Sequence, residues 1–130
     1  MGLKKVIHMG PVNSQGGMSS VINTLVDYSP NGFEVDVIDT HVDGSIISKI
    51  RKWKRAIMKL KKMIRQDSID IVHIHVTHSM SWWRKLSFMK ILNVEKIPFI
   101  IHIHSGKFQK FCSSFFEFPG NSFRRILQNI

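Results

Sequence analysis

Four short apolar segments, Lys5–Met9, Glu34–Asp39, Ile69–Val76 and Ile97–Ile103, alternate with three segments of helical period. The latter are Gly17–Tyr28, Ile46–Arg65 and Ser79–Ile91, and Ser29-Pro30-Asn31-Gly32 stops the first of them. Runs this rich in Val and Ile read as strands covered on both faces. Strands alternating with helices of this length build a parallel sheet through right-handed crossovers. The expected fold class is therefore α/β, a Rossmann-like doubly wound parallel sheet in a single domain. Ligands of such sheets bind beyond the carboxyl ends of the strands, near the reversal in strand order. Three loops meet that edge: the Gly10–Gly17 turn, His75–Ser79, and His104–Lys107.

The first of these loops, Gly10-Pro11-Val12-Asn13-Ser14-Gln15-Gly16-Gly17, joins a strand to a helix. Gly16 and Gly17 let backbone approach a ligand closely, and the helix behind them offers free N–H groups to an anion. The loop lacks the three spaced glycines of the dinucleotide fingerprint and the Gly-Lys-Ser/Thr of a P-loop. It reads either as a phosphate cradle or as a tight turn.

Charge narrows the partners. Nineteen Lys and Arg against nine Asp and Glu give a net +10, which favours an anionic partner. Nine basic residues fall between Lys49 and Arg65, with no acid before Asp67. Ile46, Ile50, Trp53, Ile57, Leu60 and Ile64 form one apolar stripe on that helix. Arg51, Lys52, Arg55, Lys59 and Lys62 are expected to cluster opposite it. A solvated outer face ordinarily interleaves Glu with Lys, so an acid-free face fits an anionic surface. Lipid headgroups contribute about 1 kcal/mol per nearby cation. Aromatics interleaved for base stacking are absent from that face, so membrane is preferred over nucleic acid. No apolar run approaches a membrane span and no signal peptide is evident. The single cysteine, Cys112, fits a reducing compartment and reads as a small core residue.

Four of the seven histidines form two His-x-His units, His73/His75 and His102/His104. Strand alternation puts each pair on one face, about 6.5 Å apart. A metal centre would need further convergent ligands, and no other spacing here supplies them, so no metal site is expected. His8, His73 and His102 read as hydrogen-bonded core residues. His75 and His104 are expected to reach past the strand ends into the cleft, where an imidazole can donate to a sugar hydroxyl or act as acid or base.

Taken in order, Lys5-Val6-Ile7-His8-Met9-Gly10 with Gly16-Gly17-Met18, then Asp70-Ile71-Val72-His73-Ile74-His75, then Pro98-Phe99-Ile100-Ile101-His102-Ile103-His104 resemble a known family. They are similar to the N-terminal domain of GT-B glycosyltransferases, in particular the large retaining group called family 4. The resemblance implies transfer of a sugar from a nucleotide-sugar to a glycan or lipid-linked acceptor, with retention and with no cofactor or obligatory metal. It implies that Gly16 and Gly17 approach the donor diphosphate and sugar and that His104 contacts the transferred sugar as the catalytic residue. His75, Ser105 and Lys107 would complete the binding wall. It also implies peripheral docking on the inner face of a membrane through the basic helix.

Two departures qualify the resemblance. Ser105-Gly106-Lys107 puts a basic residue where the family often has an acid. The family's donor-binding C-terminal domain carries two Glu about eight residues apart, and Glu34, Glu95 and Glu117 do not supply them. The chain is thus expected to be the acceptor-side portion of a larger enzyme, inactive alone: a fragment, a truncated reading frame, or one half of a split enzyme. Phe108, Phe111, Phe115, Phe116 and Phe118 would then pack against that half, and a helix is expected from Ser122. The competing reading is a non-catalytic basic module that binds a membrane surface or a partner protein.

Overall fold

A computed structural model describes residues 2–66, 69–77 and 80–111. Cys112, Phe115, Phe116, Phe118, Ser79 and the helix expected from Ser122 lie outside the described residues. The elements run β1 (Lys4–Gly10), α1 (Gly17–Asp27), β2 (Phe33–Asp39), α2 (Ile46–Arg65), β3 (Ile71–Val76), α3 (Met80–Val94) and β4 (Phe99–Ile103). The four strands form one parallel sheet in the order β2-β1-β3-β4. The fold class is α/β and Rossmann-like, and the strand order reverses between β1 and β3.

Alternation divides the sheet into two unlike faces. Ile7 and Met9, Ile38, and Val72, Ile74 and Val76 point to one side, where Ala56, Leu60 and Met63 of α2 and Trp82, Leu86, Phe88, Met89 and Leu92 of α3 cover them. This is the core. At about 25 cal/mol per Å² of apolar surface removed from water, it is the main source of stability. Trp53 ties the two helices together, its Nε1 donating to Ser87 Oγ at 2.8 Å. On the opposite side α1 lies over β1, and its Ile22 is fully buried.

Local chemistry sets the element ends. Ser45 caps α2 by accepting from the Ser48 N–H, and Lys62 and Arg65 sit in its last turn, where cations favour the helix dipole. The α3 helix runs on to Val94 and closes with Ile97 N–H donating to Leu92 O and Lys96 N–H to Asn93 O. That closure puts Lys96 at φ 56, the left-handed C′ position usually held by glycine. It delays β4 to Phe99, two residues later than the apolar run implies. Asp70 likewise stands before β3 rather than in it. Its carboxylate accepts the Lys5 N–H at 2.7 Å and pairs with Lys4, and its own N–H donates to Lys5 O. It thereby ties the start of β3 to β1.

Candidate functional site

The face of the sheet turned toward α1 carries five histidines. They arise from three strands: His8 on β1, His73 and His75 on β3, His102 at the end of β4, and His104 just beyond it. Parallel register sets His8 beside His73, and His75 beside His102. His8 Nδ1 lies 3.0 Å from His75 Nε2, and His75 Nδ1 lies 2.8 Å from His104 Nε2. His73 Nε2 lies 3.1 Å from His102 Nδ1. Within each strand pair the rings stack, with centroids 4.3 Å apart for His73/His75 and 4.1 Å for His102/His104.

Burial and crowding push His8, His73, His75 and His104 toward the neutral form. Burial drives His75 furthest below the ordinary imidazole value, and the neighbouring His73, His8, His104 and His102 push it the same way. His73 falls to about 4, from burial first and then His8, His102 and His104. His8 is lowered by burial and by His102, and His104 by burial, His102 and Lys85. A neutral imidazole keeps one N–H and one nitrogen lone pair, so each can donate once and accept once or bind a metal.

The expected roles of the pairs change accordingly. His75 does not reach past the strand end: it is 0% exposed, close to Gly10 at the end of β1, which Ile22 of α1 approaches. His104 is the part-exposed end of the chain His8–His75–His104. His73 and His102 are hydrogen-bonded within the sheet face, as expected, but to each other. His8, read alone as a core residue, belongs to the cluster. Cross-strand register joins it to His73 and His75, and no local sequence pattern carries that register.

Gly16 and Gly17 open α1 at the carboxyl edge of β1. Gly16 is extended, with φ 173, a conformation any residue adopts. A Cβ on either glycine would meet nothing within 4 Å. The fold therefore leaves bare backbone there without requiring it. Gly10 is the opposite case: a Cβ would come within 2.6 Å of Ile22 Cδ1 and 3.1 Å of His75 Cβ. Asp39 holds the base of the loop, accepting from the N–H groups of Val12 at 3.2 Å and His41 at 3.1 Å and from Lys52 Nζ at 2.9 Å. Its carboxylate is thus committed to the loop itself. At the third loop, Ser105 Oγ accepts the Lys107 N–H in a tight turn that leaves the Lys107 side chain exposed.

Lys85 is a residue that sequence pattern conceals. It lies on α3 yet is buried, and its Nζ donates to His75 O at 2.8 Å, at the carboxyl end of β3. Burial, then the neighbouring Arg84, pushes its ammonium down to about 8, while Asp39 acts the other way. The signal that could have found it is a lysine amid Trp82, Leu86 and Met89. Two surface clefts among the described residues lie toward the amino ends of the strands, one of them lined by Lys61, Ile64, Arg65, Ile69, Glu95 and Ile97.

On α2, the five basic residues divide. Arg51, Arg55 and Lys62 are exposed on the outer face. Lys52 turns back to Asp39, and Lys59 Nζ donates to Val37 O at 2.7 Å, so both are tied to β2. The apolar stripe divides too: Trp53, Ile57, Leu60 and Ile64 join the core, whereas Ile46 is 76% exposed and Ile50 also lies open. The first turn of α2 thus leaves its apolar side chains open. No helix among the described residues is long and apolar enough to cross a membrane.

Fold and site define a Rossmann-like α/β domain with a glycine-opened helix and a histidine-lined face at one edge of its sheet. Against known proteins, no family model, no curated protein and no solved structure matches the chain.

Proposed function

We propose that this chain is the acceptor-side domain of a GT-B glycosyltransferase of the retaining, family 4-like kind. In this reading Gly16 and Gly17 form the wall approached by the donor diphosphate and sugar. A second domain holds the nucleotide, and His104 faces the transferred sugar. The observation that carries it is the pair Gly16–Gly17. Neither backbone strain nor packing asks for glycine at either position, and bare N–H groups at a helix start suit an anion. Support also comes from His104, which stands on the same edge of the sheet, across the strand-order reversal where such folds bind ligands.

Titration of the isotope-labelled chain with a panel of nucleotide-sugars, followed by amide NMR, tests the reading. Shifts should concentrate at Gly16–Ser20 and at His104–Lys107, at millimolar donor. Shifts at neither loop with any donor would overturn it.

A second reading rests on α2. Ile46, Ile47, Ile50 and Met58 are exposed beside Arg51, Arg55 and Lys62, an apolar and cationic surface of the kind that lies on anionic lipid. It is compatible with the first, since the acceptor of such an enzyme can be lipid-linked.

A further inference from the structure

We infer that His75, His102 and His104 form a binding site for a transition-metal dication of the zinc class, with His8 and His73 as the outer partners that orient two of the ligands. One nitrogen from each of the three rings lies within 4.8 Å of the others. Tetrahedral coordination at about 2.0–2.1 Å requires ligand nitrogens about 3.4 Å apart. His75 Nδ1 and His104 Nε2 already face each other at 2.8 Å, and a bound ion would draw the three rings to that common spacing.

The hydrogen bonds decide which nitrogens serve. When His75 Nδ1 binds metal, its proton sits on Nε2, which lies 3.0 Å from His8 Nδ1 and can donate to it. His102 Nδ1 can donate to His73 Nε2 at 3.1 Å, leaving His102 Nε2 for the metal. Ligating histidines generally donate their second N–H to such a partner, which fixes tautomer and ring plane. All five histidines of the face then have a role. A set of imidazoles without carboxylates or thiolates selects zinc, copper, nickel or cobalt over magnesium and calcium. His102 and His104 are part-exposed, which gives the ion a way in and leaves a fourth position for water. The site does not depend on the sugar-transfer reading.

The test is titration of the untagged, metal-free full chain with Zn²⁺ by calorimetry and with Co²⁺ by visible absorption. One ion should bind per chain, with the intense absorption of a tetrahedral cobalt site. His104→Gln, at the strand end, should weaken binding at least tenfold, as should His102→Gln, with folding followed by circular dichroism. Outer partners typically contribute about 10–100-fold, so His8→Gln should weaken binding without abolishing it. His41→Ala, which leaves the five-histidine face intact, should bind as the parent does. Should neither ion bind saturably at micromolar concentrations, the site is refuted. Binding that survives His104→Gln, that is lost in His41→Ala, or that His8→Gln abolishes outright refutes the ligand assignment.

Discussion

His75 and His104 face each other nitrogen to nitrogen at 2.8 Å, and His75 meets His8 through its other nitrogen at 3.0 Å. A neutral imidazole carries one proton, so one member of each contact donates and the other accepts. If His8 donates from Nδ1, His75 must donate from Nδ1 to His104 Nε2, and His104 carries its proton on Nδ1. If His104 donates from Nε2, the other two must carry theirs on Nε2. In the metal-free chain, the three rings therefore share one tautomer.

That concordance is the first prediction. Long-range proton–nitrogen NMR of the metal-free chain should report the same tautomer for His8, His75 and His104. His75→Phe should release His104 to a mixture of both. Opposite tautomers at His8 and His104 in the parent chain would show that the contacts are not hydrogen bonds.

At Gly10 the sheet and α1 approach each other closely. Gly10→Ala places a methyl 2.6 Å from Ile22 Cδ1 and 3.1 Å from His75 Cβ. The Ile22 methyl could move in an open site, but Ile22 is fully buried and His75 Cβ is fixed to the strand. Overpacking of this kind costs about 1–3 kcal/mol. A denaturant midpoint equal to that of the parent would contradict the close approach.

Asp39 makes stability depend on acid. Burial alone would raise its carboxyl, but the hydrogen bond from Lys52, those from the His41 and Val12 N–H groups, and the Lys52 charge together hold it below the usual range. With its folded value depressed, the unfolded chain takes up the proton first. The stabilisation is fully present above the unfolded value of about 3.9 and is lost as pH falls through the folded value. Asp39→Asn should therefore cost about 1–3 kcal/mol at neutral pH, as for a charged acceptor with several donors. The gap between variant and parent should narrow below about pH 4. A gap independent of pH would assign the effect to shape rather than charge.

The alternation of strands and helices was legible because period 2 and period 3.6 are local properties of the chain. The same alternation correctly put His73 with His75 and His102 with His104. Contacts set by register between strands were not legible, which is why His8 looked solitary and His75 looked accessible. Helical periodicity placed Lys52 and Lys59 outward. The long side chains of both turn back to β2, where Asp39 and the Val37 carbonyl offer acceptors. Lys85 was legible only as a lysine amid Trp82, Leu86 and Met89; the strand-end carbonyl that its ammonium reaches is set by the packing of α3 on β3 and is not written locally.

On α2 the outer cations can be separated from the inner ones. If the helix lies on anionic lipid, Arg51, Arg55 and Lys62 supply the attraction, at about 1 kcal/mol each. Changing all three to Gln should weaken flotation with phosphatidylserine vesicles on the order of 100-fold. Lys52→Gln with Lys59→Gln should change flotation little and cost some stability, because both are tied to β2. Equal loss in the two variants would mean that net charge, rather than the exposed face, controls binding.

Gly17→Ala sets stability against function. The position opens α1, a Cβ there meets nothing within 4 Å, and alanine is the better helix former. Replacing glycine where the backbone permits it typically stabilises by about 0.4–1 kcal/mol through the unfolded state. A purely structural turn would gain that stability and lose nothing. If the glycine serves an approaching diphosphate, the added methyl stands between ligand and backbone, and the donor-induced amide shifts at Gly16–Ser20 should vanish while the melting temperature rises. A stabilised variant that keeps those shifts would remove the ligand from the explanation of the Gly16–Gly17 pair.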